Sequence, residues 1–415
     1  MRLKNAKHIR FKHIGIQGHF GLFIDDKSKD VVIDACLLNI GEWGIAIRSG
    51  SNNINVLNNY FENGNHGVFI TPSDGNISII PENIKISNNI FNQNYSATYL
   101  EYGRNIKISG NKVNNTRVGF YAHDTKLLTI DANTVNTTSQ SDWINSGIHI
   151  ERCDTVSIYN NYLSTNGDCA SNGIYSYLCS DLRVYFNSLD IRNTDPGHES
   201  HGLKMLNANK FILKNNILNI KYYGNPIYID EYTLDYILDY NNYYSPTALV
   251  GRLGSTKFYN LDDWGNAVNG DANSKNINPY FVSDTNPLPY QRELNGAGIP
   301  VTGILLDING LIRNDQAPDV GCIEFTVDFG ITDLLNPSLD CFHAGYENVT
   351  IYLRQFGDIT FIDLKLAYQV NGGEVHTDMV PGTIYNDLEF TFNADINISS
   401  EGEYIFKIWL INTCD

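Results

Sequence analysis

A short pattern recurs along the first 250 residues and constrains the fold of this chain more than any other feature. Apolar residues alternate with other residues and lead into a position where Asn predominates, as in Ile54–Phe61 and Ile84–Phe91. The marker position of successive copies falls at Cys36, Asn59, Asn89, Asn111, Asn133, Asn161, Asn187, Asn216 and Asn242. Each unit is too short to bury its own apolar residues, so units must stack on one another. The repeat therefore predicts a solenoid.

A second short segment follows each copy, namely a small residue and then a short alternating stretch, as in Gly67–Ile70 and Gly147–Ile150. Alternation with a period of two predicts half-buried strands rather than helices. The repeated Asn suits a turn with left-handed backbone, and stacked amides can bond along the axis. The glycine suits a tight turn of the backbone. Leucine-rich repeats would need a Leu-rich pattern with helical segments. We therefore predict an all-β chain with a right-handed parallel β-helix over 1–250.

Two further regions follow the repeat. Residues 251–325 lose the rhythm and are predicted to be an irregular segment that closes the β-helix. Residues 326–415 alternate again, with about seven short strands, which is typical of an immunoglobulin-like β-sandwich. Asn371-Gly372-Gly373 is a hairpin signal within it.

The cysteines indicate different roles in the two parts of the chain. Cys341 and Cys414 lie near the two ends of the last region, and a disulfide between them would suit an extracellular protein. The solenoid cysteines have no zinc-type spacing and are predicted to be buried and free. These are Cys36, Cys153, Cys169 and Cys179.

The charge balance excludes some partners. The chain carries a net charge of -17, which argues against nucleic acid, and against a polyanionic glycan unless a cation bridges the two. No apolar run is long enough for a membrane span. The first residues have no apolar leader region and already alternate as a strand from Ile9 to Ile16. We expect the sequence to begin inside a longer chain, without its leader and N-terminal cap, and further domains could follow.

The repeat resembles that of the pectate-lyase-like superfamily of right-handed parallel β-helix proteins. That resemblance implies a fold rather than one activity, because the superfamily includes lyases, hydrolases, epimerases, adhesins and phage tailspikes. Asp307–Arg313 and Ala317–Phe325 resemble the closing segment of the choice-of-anchor β-helix proteins of bacterial surfaces, with Cys322 where the family has Ala. The resemblance implies an extracellular or cell-surface location and a structural role for this motif.

Two columns of side chains should face outward from the post-glycine strands. The first is largely aromatic and contains Phe23, Ala46, Phe69, Tyr99, Tyr121, His149, Tyr175, Lys204 and Tyr228. The second carries charge and contains Asp25, Arg48, Thr71, Glu101, His123, Glu151, Tyr177, Leu206 and Asp230. A slip of one residue would exchange inside and outside. Aromatic faces suit sugar rings, which favours the four tyrosines of this column. The predicted substrate-binding residues are Tyr99, Tyr121, Tyr175, Tyr228, His201 and Arg48.

The candidate catalytic residues are Glu101, His123, His149, Glu151 and Lys204. His123 would stand between Glu101 and Glu151, which would favour its protonated form. The two carboxylates, two turns of the solenoid apart, would be separated by roughly 9–10 Å, near the upper limit for an inverting glycosidase. A lyase would instead use a base such as Lys204, His149 or Tyr175.

A loop beside these residues suggests a different activity. Asp195–Gly202 resembles the D-P-H-[DE] stretch of β-helix mannuronate epimerases, apart from the inserted Gly197. The resemblance implies that His198, Glu199 and His201 flank Lys204 at the edge of a groove.

The sequence thus predicts a secreted or cell-surface protein that binds or processes a polysaccharide as a lyase, an epimerase or an inverting hydrolase. The alternative is a non-catalytic surface adhesin or structural stalk. The sequence specifies no cofactor, although Asp/Asn-rich turns could hold Ca²⁺. A groove walled by the turns 71–81, 137–146 and 194–201 would favour an enzyme, and a flat face would favour an adhesin.

Overall fold

The computed structural model describes residues 1–72, 77, 79–139, 145–326, 329–338, 345–358, 361–384, 387–400 and 402–411. The chain forms two compact units, one over residues 1–324 and the other over residues 325–415. Among the described residues, no helix is long and apolar enough to cross a membrane.

The first unit is a solenoid of three parallel sheets, and each turn of the chain contributes one strand to each sheet. We call such a turn a rung. Sheet A consists of β1 (Arg2–Lys4), β4 (Leu22–Asp25), β7 (Trp43–Arg48), β10 (His66–Thr71), β13 (Ser96–Glu101), β16 (Val118–His123), β19 (Asn145–Glu151), β22 (Ser171–Tyr177), β25 (His201–Leu206), β28 (Asn225–Ile229), β31 (Gly251–Leu253) and the antiparallel β32 (Thr256–Phe258).

The other two sheets complete each rung. Sheet B consists of β2 (Lys7–Lys12), β5 (Lys29–Asp34), β8 (Asn52–Leu57), β11 (Glu82–Ser87), β14 (Arg104–Ser109), β17 (Lys126–Asp131), β20 (Asp154–Tyr159), β23 (Ser180–Tyr185), β26 (Asn209–Lys214) and β29 (Leu234–Asp239). Sheet C consists of β3 (Gly15–Gly18), β6 (Leu37–Ile40), β9 (Tyr60–Glu62), β12 (Ile90–Asn92), β15 (Lys112–Thr116), β18 (Thr134–Ser139), β21 (Tyr162–Gly167), β24 (Ser188–Asn193), β27 (Ile217–Ile220) and β30 (Asn242–Tyr244). The predicted right-handed parallel β-helix is confirmed.

A ladder of buried asparagines runs along the turn between sheets B and C. Asn133 is representative: its Oδ1 accepts the backbone N–H and the side-chain amide of Asn111, at 2.8 and 2.9 Å. Its own amide donates to Asn161 Oδ1 at 2.9 Å and to the carbonyl of Ile108 at 3.0 Å. The residue before it, Ala132, takes the left-handed conformation instead. Asn is therefore repeated for its side-chain bonds along the axis rather than for its backbone.

The ladder also corrects one position of the predicted repeat. Its members are Asn59, Asn89, Asn111, Asn133, Asn161, Asn187, Asn216 and Asn241. The last is Asn241 and not Asn242, because Asn242 already belongs to β30 and bonds the backbone of Ile277. The ladder ends where the backbone N–H of Asn241 donates to Ser274 Oγ at 2.8 Å.

The repeated glycines stand where two rungs approach most closely at the start of sheet A. A Cβ on Gly119 would lie 2.3 Å from the carbonyl oxygen of Gly147 and 2.5 Å from the side chain of Val135. Real Cβ atoms do not approach so closely, and φ at Gly119 is not positive. The constraint is therefore space between rungs, not a tight backbone turn.

The helix α1 (Leu261–Val268) covers the C-terminal end of the solenoid. Its side chains Trp264 and Val268 are buried in the solenoid core. The indole N–H of Trp264 donates to Asp271 at 2.8 Å, and Tyr243 donates to the same carboxylate at 2.9 Å. Asn260 caps its first turn by accepting from the backbone N–H of Asp263. The open end of the core is thus closed by an amphipathic helix.

The closing motif packs on the flank of the solenoid rather than on its end. It follows the hairpin β33 (Phe281–Ser283) and β34 (Asn286–Pro289). The Arg313 guanidinium lies 4.0 Å from the ring centroid of Phe186 and donates to Asn160 Oδ1 at 2.9 Å. It also pairs with Glu324 at 3.2 Å. Each contact joins parts of the solenoid unit. The resemblance of this motif to an anchor-type closing segment stays a prediction.

The second unit is a small β-sandwich. One antiparallel sheet contains β35 (Phe329–Asn336), β36 (Tyr346–Gln355) and β39 (Leu388–Asn397), and the other contains β37 (Phe361–Val370), β38 (Val375–Ile384) and β40 (Phe406–Leu410). Asn371 and Gly372 adopt positive φ in the turn between β37 and β38, where the hairpin was predicted. Buried residues from both sheets share one core. The immunoglobulin-like topology stays a prediction.

The described cysteines are buried, as predicted for the four in the solenoid, and Cys36, Cys153, Cys179 and Cys322 are free thiols. Cys341 and Cys414, the predicted disulfide pair, lie outside the described residues.

We expect Asn133→Ala to lower the free energy of unfolding by roughly 3 kcal/mol, because the buried N–H of Asn111 would lose its acceptor. Urea unfolding followed by circular dichroism measures the loss. The matched control is Asn136→Ala in the same rung, whose side chain is half-exposed on the outer face of sheet C. Equal destabilisation by both substitutions would contradict the ladder's role.

Candidate functional site

The outer face of sheet A carries the two predicted columns. Strand pairing places Tyr99, Tyr121, His149, Tyr175 and Lys204 at successive register positions, followed by Tyr228 and Arg252. These side chains are half-buried, and from Tyr99 to Tyr228 the residues on either side of each in its strand are buried. The second column, from Glu101 through His123 to Glu151, is likewise in register. The strands therefore face the way the sequence predicted.

The rings of the first column stack on one another along the axis. The centroids of Tyr99 and Tyr121 are 4.5 Å apart with the planes inclined by 14°. The centroid separation is 5.0 Å between Tyr121 and His149, and 4.4 Å between His149 and Tyr175. The faces are consequently occupied by neighbouring rings, and the column presents ring edges and hydroxyl groups to solvent. This differs from the expectation that exposed ring faces would receive sugar rings.

Two aromatic residues that the sequence did not single out complete the column at its N-terminal end. Ala46 interrupts the series of rings, and Trp43, from the start of the same strand, fills the gap by stacking on Phe69 at 4.8 Å. His66 lies 4.7 Å from the ring of Tyr99. Both residues come before the repeated glycine, where the chain turns into sheet A, so simple alternation could not place them on this face.

The first half of the central cluster is a chain of hydroxyl groups that leads to Glu101. Thr71 donates to Glu101 Oε2 at 3.0 Å. The hydroxyl of Tyr99 is hydrogen-bonded to Glu101 and to the hydroxyl of Tyr121. Burial raises the pKa of both tyrosines, and the charge of Glu151 raises the pKa of Tyr121 further. Both phenols therefore stay protonated near neutral pH and act as donors.

The second half is the pair of His149 and Glu151. His149 Nε2 lies 2.8 Å from Glu151 Oε1, and the imidazole is held between the rings of Tyr121 and Tyr175. Burial lowers the pKa of His149, although Glu151 acts in the opposite direction. The imidazole is then neutral near pH 7, with Nε2–H donating to the carboxylate and Nδ1 left as the basic nitrogen.

His123 has other partners than those predicted. It follows Glu101 and precedes Glu151 in the register, but its Nδ1 lies 2.9 Å from Asp124 Oδ2. Arg152 approaches the same nitrogen at 3.4 Å and pairs with Asp124 at 3.0 Å. The carboxylate of Glu151 is instead directed along its own strand to His149. The two catalytic candidates of this rung, His149 and Glu151, thus bond each other, and His123 belongs to a neighbouring ion pair.

The C-terminal end of the first column is cationic. The Lys204 ammonium lies 5.9 Å from the ring centroid of Tyr175 and 5.8 Å from that of Tyr228. The Arg252 guanidinium covers Tyr228 at 4.8 Å. Burial lowers the pKa of Lys204, as does the charge of Arg252, while Glu199 raises it. We call Lys204, Arg252 and the nearby Lys257 the cationic cluster.

Two predicted substrate-binding residues have structural contacts within the solenoid instead. Arg48 donates to the buried carboxylate of Asp25 at 3.0 Å, so its charge is balanced within the solenoid. His201 is buried, its Nδ1 lies 3.1 Å from the side-chain oxygen of Asn172, and burial lowers its pKa to about 3. A side chain this deeply buried offers no surface to a polymer. The alternation in the sequence did not predict this burial, because His201, like Trp43 and His66, precedes the repeated glycine.

The predicted walls of a groove are described only in part. The turns 71–81 and 137–146 include residues outside the described set, whereas 194–201 is described and holds His198 against Asp195 at 2.7 Å. Among the described residues, no group of three or more His, Cys, Asp or Glu side chains is placed to hold a metal ion.

Comparison with known proteins agrees with the fold. A family model described as "Right handed beta helix region" matches residues 73–189. A search of the curated proteins found no significant match.

The solved structures that are similar to this chain have low sequence identity to it. Two crystal structures of PfbA, a surface adhesin of Streptococcus pneumoniae, are 14% and 16% identical, with TM-scores of 0.41 and 0.43. They cover 61% and 62% of this chain, and 78% and 69% of their own. A capsular polysaccharide depolymerase, tailspike protein gp49 of the Acinetobacter baumannii bacteriophage Fri1, is 8% identical over 96% of this chain and 77% of its own, with a TM-score of 0.20.

Because His66 is half-buried on this face, we predict that the stability of the folded chain depends on pH. Burial lowers the pKa of His66 to about 4, against the smaller opposing effect of Glu42. The unfolded chain takes up a proton near pH 6.5 while the folded chain does not, so stability should fall as the pH drops from 6.5 towards 4. We expect His66 to contribute on the order of 2 kcal/mol to this loss after allowance for its partial exposure.

Urea midpoints measured between pH 8 and pH 4 test this dependence, and His66→Gln should flatten the acid limb of the curve. His8→Gln is the control, since that side chain is largely exposed. The prediction fails if His66→Gln and His8→Gln give curves of the same slope.

Proposed function

We propose that this chain is an extracellular or cell-surface protein that binds a polysaccharide along the outer face of sheet A and hydrolyses it between Glu101 and Glu151. The observation that carries the proposal is the central cluster, which places two carboxylates, a neutral imidazole and two phenols on three successive rungs. Hydrogen bonds lead from Tyr121 through Tyr99 to Glu101, and a separate hydrogen bond joins His149 to Glu151. A surface that served only to stabilise the solenoid would not need this density of oriented polar groups.

The charge around the cluster favours hydrolysis over elimination. Glycoside hydrolysis passes through a cationic, oxocarbenium-like transition state, which nearby carboxylates stabilise. A lyase develops negative charge beside the sugar carboxylate and needs cations there. Glu101 and Glu151 flank Tyr121, while Lys204, the nearest cation in the aromatic column, stands two rungs from His149. The electrostatics at the centre of the face therefore suit a hydrolase.

The spacing of the carboxylates suits inversion. Glu101 and Glu151 lie two rungs apart, which corresponds to roughly 9–10 Å of backbone separation. Inverting hydrolases keep their carboxyl groups about 6.5–9.5 Å apart, so that a water molecule fits beside the sugar. One carboxyl group would protonate the leaving oxygen and the other would activate the water. Thr71 and Tyr99 orient Glu101, and His149 orients Glu151.

A non-catalytic adhesin or stalk is the second candidate, and one observation favours it. The aromatic rings of the column satisfy one another by stacking, which stabilises a solenoid surface whether or not a ligand binds. In that case the carboxylates would only be solvated groups on a rigid rod.

Incubation of the purified chain with a panel of polysaccharides distinguishes the hydrolase from the non-catalytic adhesin or stalk. We expect new reducing ends without the ultraviolet absorbance of unsaturated products. Glu101→Gln and Glu151→Gln should each lower kcat by about 100-fold or more, because each removes one proton-transfer group. The control is Glu82→Gln, which makes the same change on sheet B.

Other outcomes would replace the proposal. Unsaturated products would establish a lyase, and binding without any product would establish the adhesin. Neither binding nor product, or equal activity in all three variants, would leave the face with a structural role.

A further inference from the structure

An apolar cleft lies on the flank of the solenoid unit, on a different sheet from the proposed glycan-binding face. Its solenoid side is formed where β17 and β20 of sheet B end, by Asp131, Ala132, Tyr159 and Asn160. Its other side is formed by residues 303–312 of the closing segment. The cleft has a volume of about 710 Å³. Small-molecule sites in proteins usually measure about 300–1,000 Å³, so the cleft has the size of such a site.

The outer wall of the cleft is a short antiparallel ribbon over residues 305–313, which we call the flank ribbon. Leu306 and Ile312 pair across it. Asn160 joins the flank ribbon to the solenoid, because its side-chain amide donates to the carbonyl of Leu306 at 2.7 Å and its Oδ1 accepts from Arg313 at 2.9 Å. The cleft is therefore preformed, and a ligand would not have to order its wall.

The flank ribbon exposes apolar side chains without any exposed charge. The exposed fraction is 80% for Ile312, 70% for Leu305, 55% for Leu311 and 48% for Leu306. Asp307 is the one charged residue between positions 295 and 312, and it is buried. Its Oδ1 accepts two backbone N–H groups of the flank ribbon, each at 2.8 Å. A contiguous apolar surface of this kind marks a binding site more often than a stabilising contact.

The floor of the cleft carries one polar pair. Asp131 is buried, and its carboxylate accepts the hydroxyl of Ser109 at 3.0 Å. The phenol of Tyr159 donates to the same carboxylate. Burial and the charge of Asp131 raise the pKa of Tyr159 to about 12, so the phenol stays protonated near neutral pH. Because its proton is directed to Asp131, the phenol oxygen remains available as an acceptor.

The charges around the cleft are balanced within the protein. Lys107 Nζ lies 3.3 Å from Asp131 Oδ1 and serves as the counter-ion of this carboxylate. Arg313 pairs with Glu324 at 3.2 Å, and Asp307 is satisfied by backbone N–H groups. A charged ligand would lose its hydration here without gaining an unpaired opposite charge. The lining therefore favours an uncharged ligand.

We propose that this cleft binds an uncharged, largely apolar small molecule whose single polar group is a hydrogen-bond donor. The apolar body would lie against Ile304, Leu306 and Ile312, and the donor would bond the phenol oxygen of Tyr159. Binding would remove apolar surface of both partners from water, which supplies the driving force. The inference does not depend on the proposed glycan-binding face.

A matched set of fluorescent dyes tests this inference on the full chain. The probe is N-phenyl-naphthylamine, an uncharged apolar dye with one N–H group, whose fluorescence rises in apolar surroundings. We expect it to saturate at one dye per chain with a micromolar dissociation constant. Its N-methylated form lacks the donor and should bind roughly fivefold more weakly. Anilinonaphthalene sulfonate, which adds a negative charge, should bind at least roughly tenfold more weakly.

Three substitutions then locate the site. Ile312→Asp places a charge on the flank ribbon at an exposed position and should weaken binding of N-phenyl-naphthylamine at least roughly tenfold. The control is Ile237→Asp, the same change at an exposed position of β29, three rungs from β20, and it should alter nothing. Tyr159→Phe should abolish the preference for the N–H dye over the methylated dye. Circular dichroism confirms that the variants fold.

Several results would overturn the inference. These are the absence of saturable binding at one dye per chain, binding that Ile312→Asp does not weaken, and equal affinity for the N–H and methylated dyes. Sedimentation velocity tests the other occupant of an apolar surface, a second copy of the chain. A dimer that Ile312→Asp dissociates, and that excludes the dye, would replace the small molecule by that second copy.

Discussion

The amide ladder at the turn between sheets B and C is the interaction on which the rest of this structure depends. In each ladder residue the side-chain oxygen accepts the backbone N–H and the side-chain amide of the Asn in the preceding rung, and its own amide donates to the Asn in the next rung. An unpaired polar group in this core would be costly. Because every rung is held to the next at the same residue, strands in all three sheets keep one register. The columns on sheet A are a consequence of that register.

Stacking has two opposite effects on the face of sheet A. It assembles groups that are far apart in sequence, so that Glu101, Tyr121, His149 and Glu151 lie on three successive rungs. It also directs the aromatic rings towards one another, which removes their faces from contact with a ligand. A polymer on this surface therefore meets hydroxyl groups, carboxylates and, at one end, cations. Recognition would depend on hydrogen bonds and charge rather than on ring stacking.

Much of this could be predicted from the sequence, because period-two alternation and a repeated Asn report directly on strand orientation and stacking. The residues before the repeated glycine could not be placed from the sequence, because the chain turns there and breaks the alternation. Trp43 and His66 were missed for that reason, and the burial of His201 was not predicted. The partner of Glu151 also escaped prediction. Register gives the neighbours of a side chain across strands, but rotamers decide whether it bonds across a strand or along it.

The net charge of the chain does not describe how charge is distributed on sheet A. Although the chain carries a net charge of -17, Lys204 and Arg252 lie on either side of Tyr228 in the register. Arg252 belongs to β31 and lies outside the repeat recognisable by its Asn marker. Only the three-dimensional register brings it beside Tyr228.

The most direct test of this account is a crystal structure of the Glu151→Gln chain with an oligosaccharide of the polymer that it binds. The account predicts density for the ligand along the outer face of sheet A, with a glycosidic oxygen between Glu101 and the substituted residue 151. Ligand bound to sheet B or sheet C, or bound across sheet A with no contact to Glu101, would contradict it.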